Sequence, residues 1–169
     1  YYNKNFIRKP YEINFISKKQ IHIGYFSADF KKHPVMYVIE RILQLHDHSK
    51  FRIHIYSFSN DQNEYTDKLK KKPFVYRSIH NKSDMEAVQI ARKDKLDIAI
   101  DLMGYTNNNR MNIFSYRVAP IQIGYLCSTS GSNQIDYLIG DKVVIPEENK
   151  KYYSEKIIYM PYSYMSFND

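Results

Sequence analysis

Ile21-His22-Ile23-Gly24-Tyr25-Phe26-Ser27-Ala28 is a largely apolar run that leads straight into Asp29-Phe30-Lys31-Lys32-His33-Pro34 and then into a helical pattern. An apolar run of this length, bounded by polar residues, reads as a buried strand. Pro34 suits the first position of a helix, because its ring holds a helical φ and it has no N–H to leave unpaired. His33 then falls at the N-cap. Beyond it Val35, Val38, Ile39 and Ile42 recur at i, i+3, i+4 and i+7 and predict one apolar helix face. In open α/β sheets ligands bind beyond the carboxyl ends of the strands, where the following helices present free N–H groups. A strand–turn–helix here puts His33 on that edge.

The same rhythm continues along the chain. Strand-like runs at Phe51–Phe58 and Asp97–Met103, and a weaker one at Phe74–Ile79, are separated by helical segments. The third helix opens on a capping box, Ser83 with Glu86, and turns Ala87, Val88 and Ala91 one way. Gly104-Tyr105-Thr106, a polar Asn107–Asn109 loop and a short helix from Arg110 to Tyr116 precede a strand at Ile121–Leu126. A small-residue loop, Cys127 to Ser132, and strands at Ile135–Ile139 and Lys156–Met160 follow, six or seven strands in all. Strands alternating with helices predict an α/β fold, a parallel sheet flanked by helices, with Ile21–Ala28, Phe51–Phe58 and Asp97–Met103 as adjacent parallel strands. Tyr1 to Lys19 shows no period and contains Pro10, so residues 1–19 read as a linker or arm and 20–169 as one domain.

A length of 169 residues suffices for one domain with a real core. The formal charge of +7 brings nucleic acid, anionic surfaces and phosphorylated ligands into view as partners. The lysines, however, are scattered in pairs (Lys18-Lys19, Lys31-Lys32, Lys150-Lys151) apart from Lys68 and Lys70 to Lys72. They form no basic stripe interleaved with aromatics, so no nucleic-acid site is expected. The single cysteine, Cys127, excludes an intrachain disulfide and fits a reducing compartment, with the cytoplasm expected. No run approaches the ~20 apolar residues of a membrane span, and no signal peptide is visible, so no membrane partner is expected. The chain opens on Tyr1 rather than methionine and reads as a piece of something longer.

Three segments are expected on one sheet edge: Ser27–His33, Gly104–Thr106 with Arg110, and Leu126–Gly131. Glycine lets a ligand approach the backbone, and hydroxyls with free N–H groups suit a sugar or a phosphate. Neither a G-x-G-x-x-G fingerprint nor a P-loop follows any strand, which speaks against dinucleotide oxidoreductases and kinases. Ser27, Asp29 and His33 lack the nucleophile-elbow pattern of a hydrolase. His46, Asp47, His48 and His54 lack a zinc-ligand spacing, so no metal site is expected. At the end of the first helix, His46 and His48 are placed where the helix dipole favours their charged form. His22 and His54 read as packed or solvated strand residues. For His33 the alternative to a ligand contact is a plain helix cap.

Ile23-Gly24-Tyr25-Phe26-Ser27-Ala28-Asp29-Phe30, His33-Pro34, Gly104-Tyr105-Thr106, Arg110, Ala119-Pro120-Ile121-Gln122, Ile135-Asp136-Tyr137 and Tyr153-Ser154-Glu155-Lys156 together resemble the N-terminal catalytic lobe of the O-GlcNAc transferase and SPINDLY family of GT-B glycosyltransferases. The resemblance runs in order over Gln20 to Asp169. It implies the first Rossmann-like half of a GT-B fold. It also implies an enzyme that moves GlcNAc from UDP-GlcNAc to Ser or Thr hydroxyls of proteins, with inversion and without a metal or other cofactor. GDP-fucose as donor, or a non-catalytic Rossmann-like binding domain, are the alternatives. His33 is implied beside the transferring sugar, as the catalytic residue, a histidine being able to exchange a proton at neutral pH. Asp29, Pro34, Gly104, Tyr105, Thr106, Arg110, Leu126, Thr129 and Gly131 are the implied substrate-binding positions. Where the family has a Leu-Gly-Tyr-Pro-Gly-Thr type loop, this chain reads Leu126-Cys127-Ser128-Thr129-Ser130-Gly131. The implied partners are a nucleotide sugar, an acceptor protein, a second catalytic lobe that holds the nucleotide, and tetratricopeptide repeats. Without that second lobe the chain is expected to be inactive.

Overall fold

The computed structural model describes residues 19–60, 62–126 and 128–166, so the segment read as an arm, apart from Lys19, and Cys127 lie outside the described residues. Seven strands form a single sheet: β1 (Ile21–Ser27), β2 (Phe51–Ser57), β3 (Val75–Ser78), β4 (Ile98–Asp101), β5 (Ile121–Gly124), β6 (Tyr137–Gly140) and β7 (Lys156–Tyr159). Every pairing is parallel, in the order β3-β2-β1-β4-β5-β6-β7. The expected neighbours are neighbours: Tyr25 lies opposite Ile55 on one side and Ile100 on the other. The sixth strand starts at Tyr137, because Asp136 is held at the strand entry by Arg117 and by the backbone N–H of Gln122.

The side chains alternate across this sheet and make two cores. Ile23, Tyr25, Ile53, Ile55 and Ile100 pack under α1 (Pro34–Leu45) and α2 (Glu64–Lys70). Phe26, Tyr56, Phe58 and Ala99 pack under α3 (Asp84–Lys93) and α4 (Asn112–Ser115). Phe26 and Tyr56 stack with ring centroids 4.3 Å apart. Gly24 makes room for that stack, since a Cβ there would stand 2.6 Å from Leu96 Cδ1 and 3.0 Å from the Tyr56 ring.

Helix α1 begins at Pro34 with His33 as N-cap, as the sequence predicts, but its buried face is Met36, Val38, Ile39 and Leu43. Val35 and Ile42 are only partly buried, so the apolar stripe is rotated from the one expected. The capping box of α3 is complete, with Ser83 accepting from Glu86 N–H and Glu86 accepting from Ser83 N–H. His46 departs from expectation. It caps the end of α1, and burial and the neighbouring His48 lower its pKa, where the helix dipole was expected to favour the cation. Its Nε2 is 2.7 Å from the Tyr25 hydroxyl. A 3-10 turn at Glu147–Tyr152, not expected from the sequence, precedes β7. Among the described residues no helix is long and apolar enough to cross a membrane.

Candidate functional site at the carboxyl edge of the sheet

The chain runs outward from β1 to β3, then returns through α3 to β4 on the other side of β1. The direction of winding therefore reverses between β1 and β4, and such a switch point opens a crevice at the carboxyl ends of the two strands. The turn Asp29–His33 follows β1 there, and Met103–Thr106 follows β4. Met103 joins them: its sulfur accepts from the Ser27 hydroxyl at 3.3 Å and from the Ala28 N–H at 3.4 Å.

A cavity of about 500 Å³ opens on this edge, with Met103, Tyr105, Thr106, Leu126 and Ser128 on one wall and Gly140, Val144 and Tyr164 among the residues opposite. Its size suits a small organic ligand. Asp101 holds the Met103–Gly104 turn, its carboxylate accepting from Met103 N–H at 3.0 Å and Gly104 N–H at 2.9 Å. Gly104 supplies a φ of 53° that the turn requires. Burial pushes the Asp101 carboxyl up to about 7 against the opposing pull of these two N–H groups. Leu126 takes a left-handed φ of 63°, a backbone state that L side chains other than Asn and Asp rarely occupy.

The loop after β5 is held by Glu155. Its carboxylate, buried at the start of β7, accepts from the Thr129 hydroxyl at 2.6 Å, from Ser130 N–H at 2.6 Å and from the Ser130 hydroxyl. Burial alone would raise its pKa, but these hydrogen bonds outweigh it and hold the carboxyl below its ordinary value. The Tyr105 hydroxyl then donates to Ser130 O at 3.0 Å, closing the loops after β4 and β5 on one another. Asp141 secures the far wall by accepting from Val144 N–H at 2.9 Å and Tyr164 N–H at 3.0 Å.

His33 lies on the same edge, at the first turn of α1, with 39 % of its side chain exposed. Its Nδ1 accepts the Val35 N–H at 3.3 Å, and Asp29 Oδ2 stands 3.6 Å from the same nitrogen. With Nδ1 used as the acceptor, a neutral ring carries its proton on Nε2, so the free nitrogen is a donor. Pairing of Nδ1–H with Asp29 would reverse those roles. Lys31 Nζ, 3.1 Å from Asp29 Oδ1, competes for that carboxylate.

The expected residues thus fall into three groups. Tyr105, Thr106 and Leu126 line the cavity, with Gly104 in the turn behind them. His33, Asp29 and Pro34 form the β1–α1 turn on the same edge but outside the cavity wall. Thr129 and Gly131 lie in the loop that Glu155 anchors, Gly131 with a φ of 61° and open space around it. Arg110 turns away, its guanidinium donating to Asp84 Oδ1, Ile79 O and Lys82 O, each at 2.8 Å. Glu155 and Asp101 were not anticipated as organisers of the site. A signal for each is present in the sequence, Glu155 within Tyr153-Ser154-Glu155-Lys156 and Asp101 as an acid closing an apolar strand. Among the described residues no group of three or more His, Cys, Asp or Glu is placed to hold a metal ion.

Known proteins share this fold. A solved O-GlcNAc transferase mutant from Thermobaculum terrenum superposes with a TM-score of 0.82 at 29 % identity, over 87 % of this chain and 29 % of that one. A probable UDP-N-acetylglucosamine–peptide N-acetylglucosaminyltransferase SPINDLY of Petunia hybrida is 33 % identical over 156 residues, covering 89 % of this chain and 17 % of the relative. The UDP-N-acetylglucosamine–peptide N-acetylglucosaminyltransferase of Caenorhabditis elegans is 36 % identical over 151 residues, 86 % of this chain and 13 % of its own. The chain therefore spans less than a third of the solved transferase and less than a fifth of these two relatives. The family model for glycosyl transferase family 41 matches residues 3–168, so nearly the whole chain, Rossmann-like sheet and carboxyl-edge cavity included, belongs to that family of glycosyltransferases.

Proposed function

We propose that this chain is the first Rossmann-like half of a GT-B protein O-glycosyltransferase, which moves GlcNAc from UDP-GlcNAc to Ser or Thr hydroxyls of acceptor proteins in the cytoplasm. The observation that carries the reading is the cavity of about 500 Å³ at the carboxyl edge, lined by Thr106 and Leu126 beside the β1–β4 switch point in a chain of this family. The hydroxyls of Tyr105, Thr106 and Ser128 together with the apolar Leu126, Leu138 and Val144 suit the polar rim and apolar face of a hexose.

In this reading the acceptor hydroxyl attacks the anomeric carbon as the bond to the departing phosphate breaks, with inversion and no metal. His33 lies on the same sheet edge, fixed by the start of α1, and its Nε2–H serves as a donor to the sugar or to charge that develops in the transition state. The Asp29 carboxylate, 3.6 Å from Nδ1, offers the second state, in which it takes Nδ1–H and leaves Nε2 free to accept the hydroxyl proton. The nucleotide is held by a second lobe and the acceptor by further repeats, so residues 1–169 alone do not transfer sugar. A sugar phosphate gripped from one side is neither oriented nor shielded from water.

The test is transfer to a Ser/Thr peptide by the protein carrying both lobes, with UDP-GlcNAc and GDP-fucose compared and EDTA present in a parallel reaction. GlcNAc transfer that continues in EDTA is the expected result. Fucose transfer in its place would replace the donor, and no transfer with either would leave a binding domain.

A further inference from the structure

A second cleft, of about 370 Å³, opens at the opposite edge of the sheet, where the strands begin. His22 of β1, Arg52 and His54 of β2 and Arg77 of β3 bound it together with Lys93, Asp94 and Lys95 at the end of α3. Two arginines, two lysines and two histidines thus share the cleft with one carboxylate. That carboxylate is already engaged: Asp94 accepts from Arg77 Nε at 3.0 Å and Nη2 at 2.8 Å and from the Tyr56 hydroxyl at 2.7 Å. The Arg52 and Lys93 side chains are exposed and make no ion pair or hydrogen bond among the described residues.

Between them lies His54, 2 % exposed, with both ring nitrogens buried and without a hydrogen-bond partner among the described residues. The Asp94 Oδ2 at 3.7 Å from Nδ1 is too far to hydrogen-bond. A buried imidazole with neither nitrogen satisfied is uncommon in a folded protein and asks for an explanation in terms of what the site holds.

We propose that this cleft is a binding site for a phosphate group, free or carried by a small phosphomonoester. Such a group brings the counter-charge that Arg52 and Lys93 lack and an acceptor for the His54 ring N–H. The Arg52 guanidinium fork matches its oxygens, and its three oxygens use more donors than a carboxylate could. His54 lines the cleft with both ring nitrogens closed to solvent, so the exposed Arg52 and Lys93 make the first contacts with the oxyanion, and the imidazole is reached only as the side chains around it move aside. α3 presents its C-terminal end here, where the dipole disfavours an anion, so side chains alone hold the ligand and binding weakens with salt.

The experiment is an NMR and calorimetric titration of the 169-residue chain at low ionic strength with inorganic phosphate and, separately, with glucose 6-phosphate. Saturable binding of both is expected, with shifts of the His22 and His54 ring signals and none at His33. Arg52→Ala and Lys93→Ala, exposed positions that leave the core intact, should each weaken binding by about tenfold, the loss of one charge-assisted contact. Tighter binding of the sugar phosphate than of the free ion marks a metabolite as the source of the phosphate. Equal binding marks the free ion and supports the site equally. Absence of saturable binding, binding indifferent to both substitutions, or tighter capture of a DNA oligonucleotide through the same residues would overturn the proposal.

Discussion

Glu155 and Ser130 are bound to one another twice, the carboxylate accepting both the backbone N–H at 2.6 Å and the side-chain hydroxyl of Ser130. The contact crosses from the residue before β7 to the loop after β5, and Ser130 O in turn accepts from the Tyr105 hydroxyl. One buried acid thereby sets the shape of two loops at the cavity rim. Glu155→Ala leaves the Ser130 N–H and two hydroxyls without their charged acceptor. It should cost about 2–3 kcal/mol in urea melts, the worth of hydrogen bonds to a charged group. The exposed Glu147→Gln should fall within about 0.5 kcal/mol of wild type. The folded-state pKa of Glu155 is depressed, so its contribution is present at neutral pH and is lost as pH falls through that depressed value.

Asp101 and His54 oppose each other in pH dependence. The Asp101 carboxyl, at about 7 in the fold against an ordinary 3.8, binds a proton in the folded state that the unfolded chain has released, so stability falls as pH rises between those values. His54 is held near 4 by burial and by its neighbours His22, Arg52 and Arg77, against an ordinary 6.5 and against the opposite pull of Asp94, so stability falls as pH drops from 6.5 to 4. In the wild type these two slopes offset one another, while His46, whose pKa is also lowered, adds to the loss toward acid. In chemical melts from pH 4 to 7, Asp101→Asn should lose more stability toward acid than wild type, and His54→Phe more toward neutrality. Two variants whose pH profiles match that of wild type would contradict this pairing.

Gly24 and Gly131 should respond to alanine for different reasons. At Gly24 the new methyl meets Leu96 Cδ1 at 2.6 Å within the core, an overpacking that costs about 1–3 kcal/mol. At Gly131 nothing lies within 4 Å, but the φ of 61° costs alanine about 1 kcal/mol. Pairing each with Leu96→Ala in a double-mutant cycle should show coupling for Gly24→Ala and none for Gly131→Ala.

Much of this was readable in the amino-acid order, because the signals were local. The His33-Pro34 helix start, the Ser83–Glu86 capping box and the apolar run of β1 depend on neighbours in sequence, and each stands where expected. What escaped depends on distant contacts. Glu155 meets Ser130 from 25 residues away, and the Arg110 guanidinium is drawn from the rim to Ile79 O from 31. The buried face of α1 turned toward Met36 and Leu43 because the face is set by the sheet beneath it, and two overlapping apolar stripes were available. His46 showed the same limit, its proximity to a helix end being local and its burial near Tyr25 and Phe51 not.

The most direct measurement is turnover of His33 variants in the protein carrying both lobes, read beside their melting curves. His33→Ala removes an N-cap acceptor, a loss of about 1 kcal/mol, and should melt close to wild type. His33→Asn restores the cap, since asparagine is a strong N-cap residue, but places no ring nitrogen at the rim. Both variants should slow GlcNAc transfer by roughly 100-fold or more, the range of a lost proton-transfer or oriented donor contact. Wild-type turnover in His33→Ala, or full recovery in His33→Asn, would contradict the account and leave His33 as the cap of α1 alone.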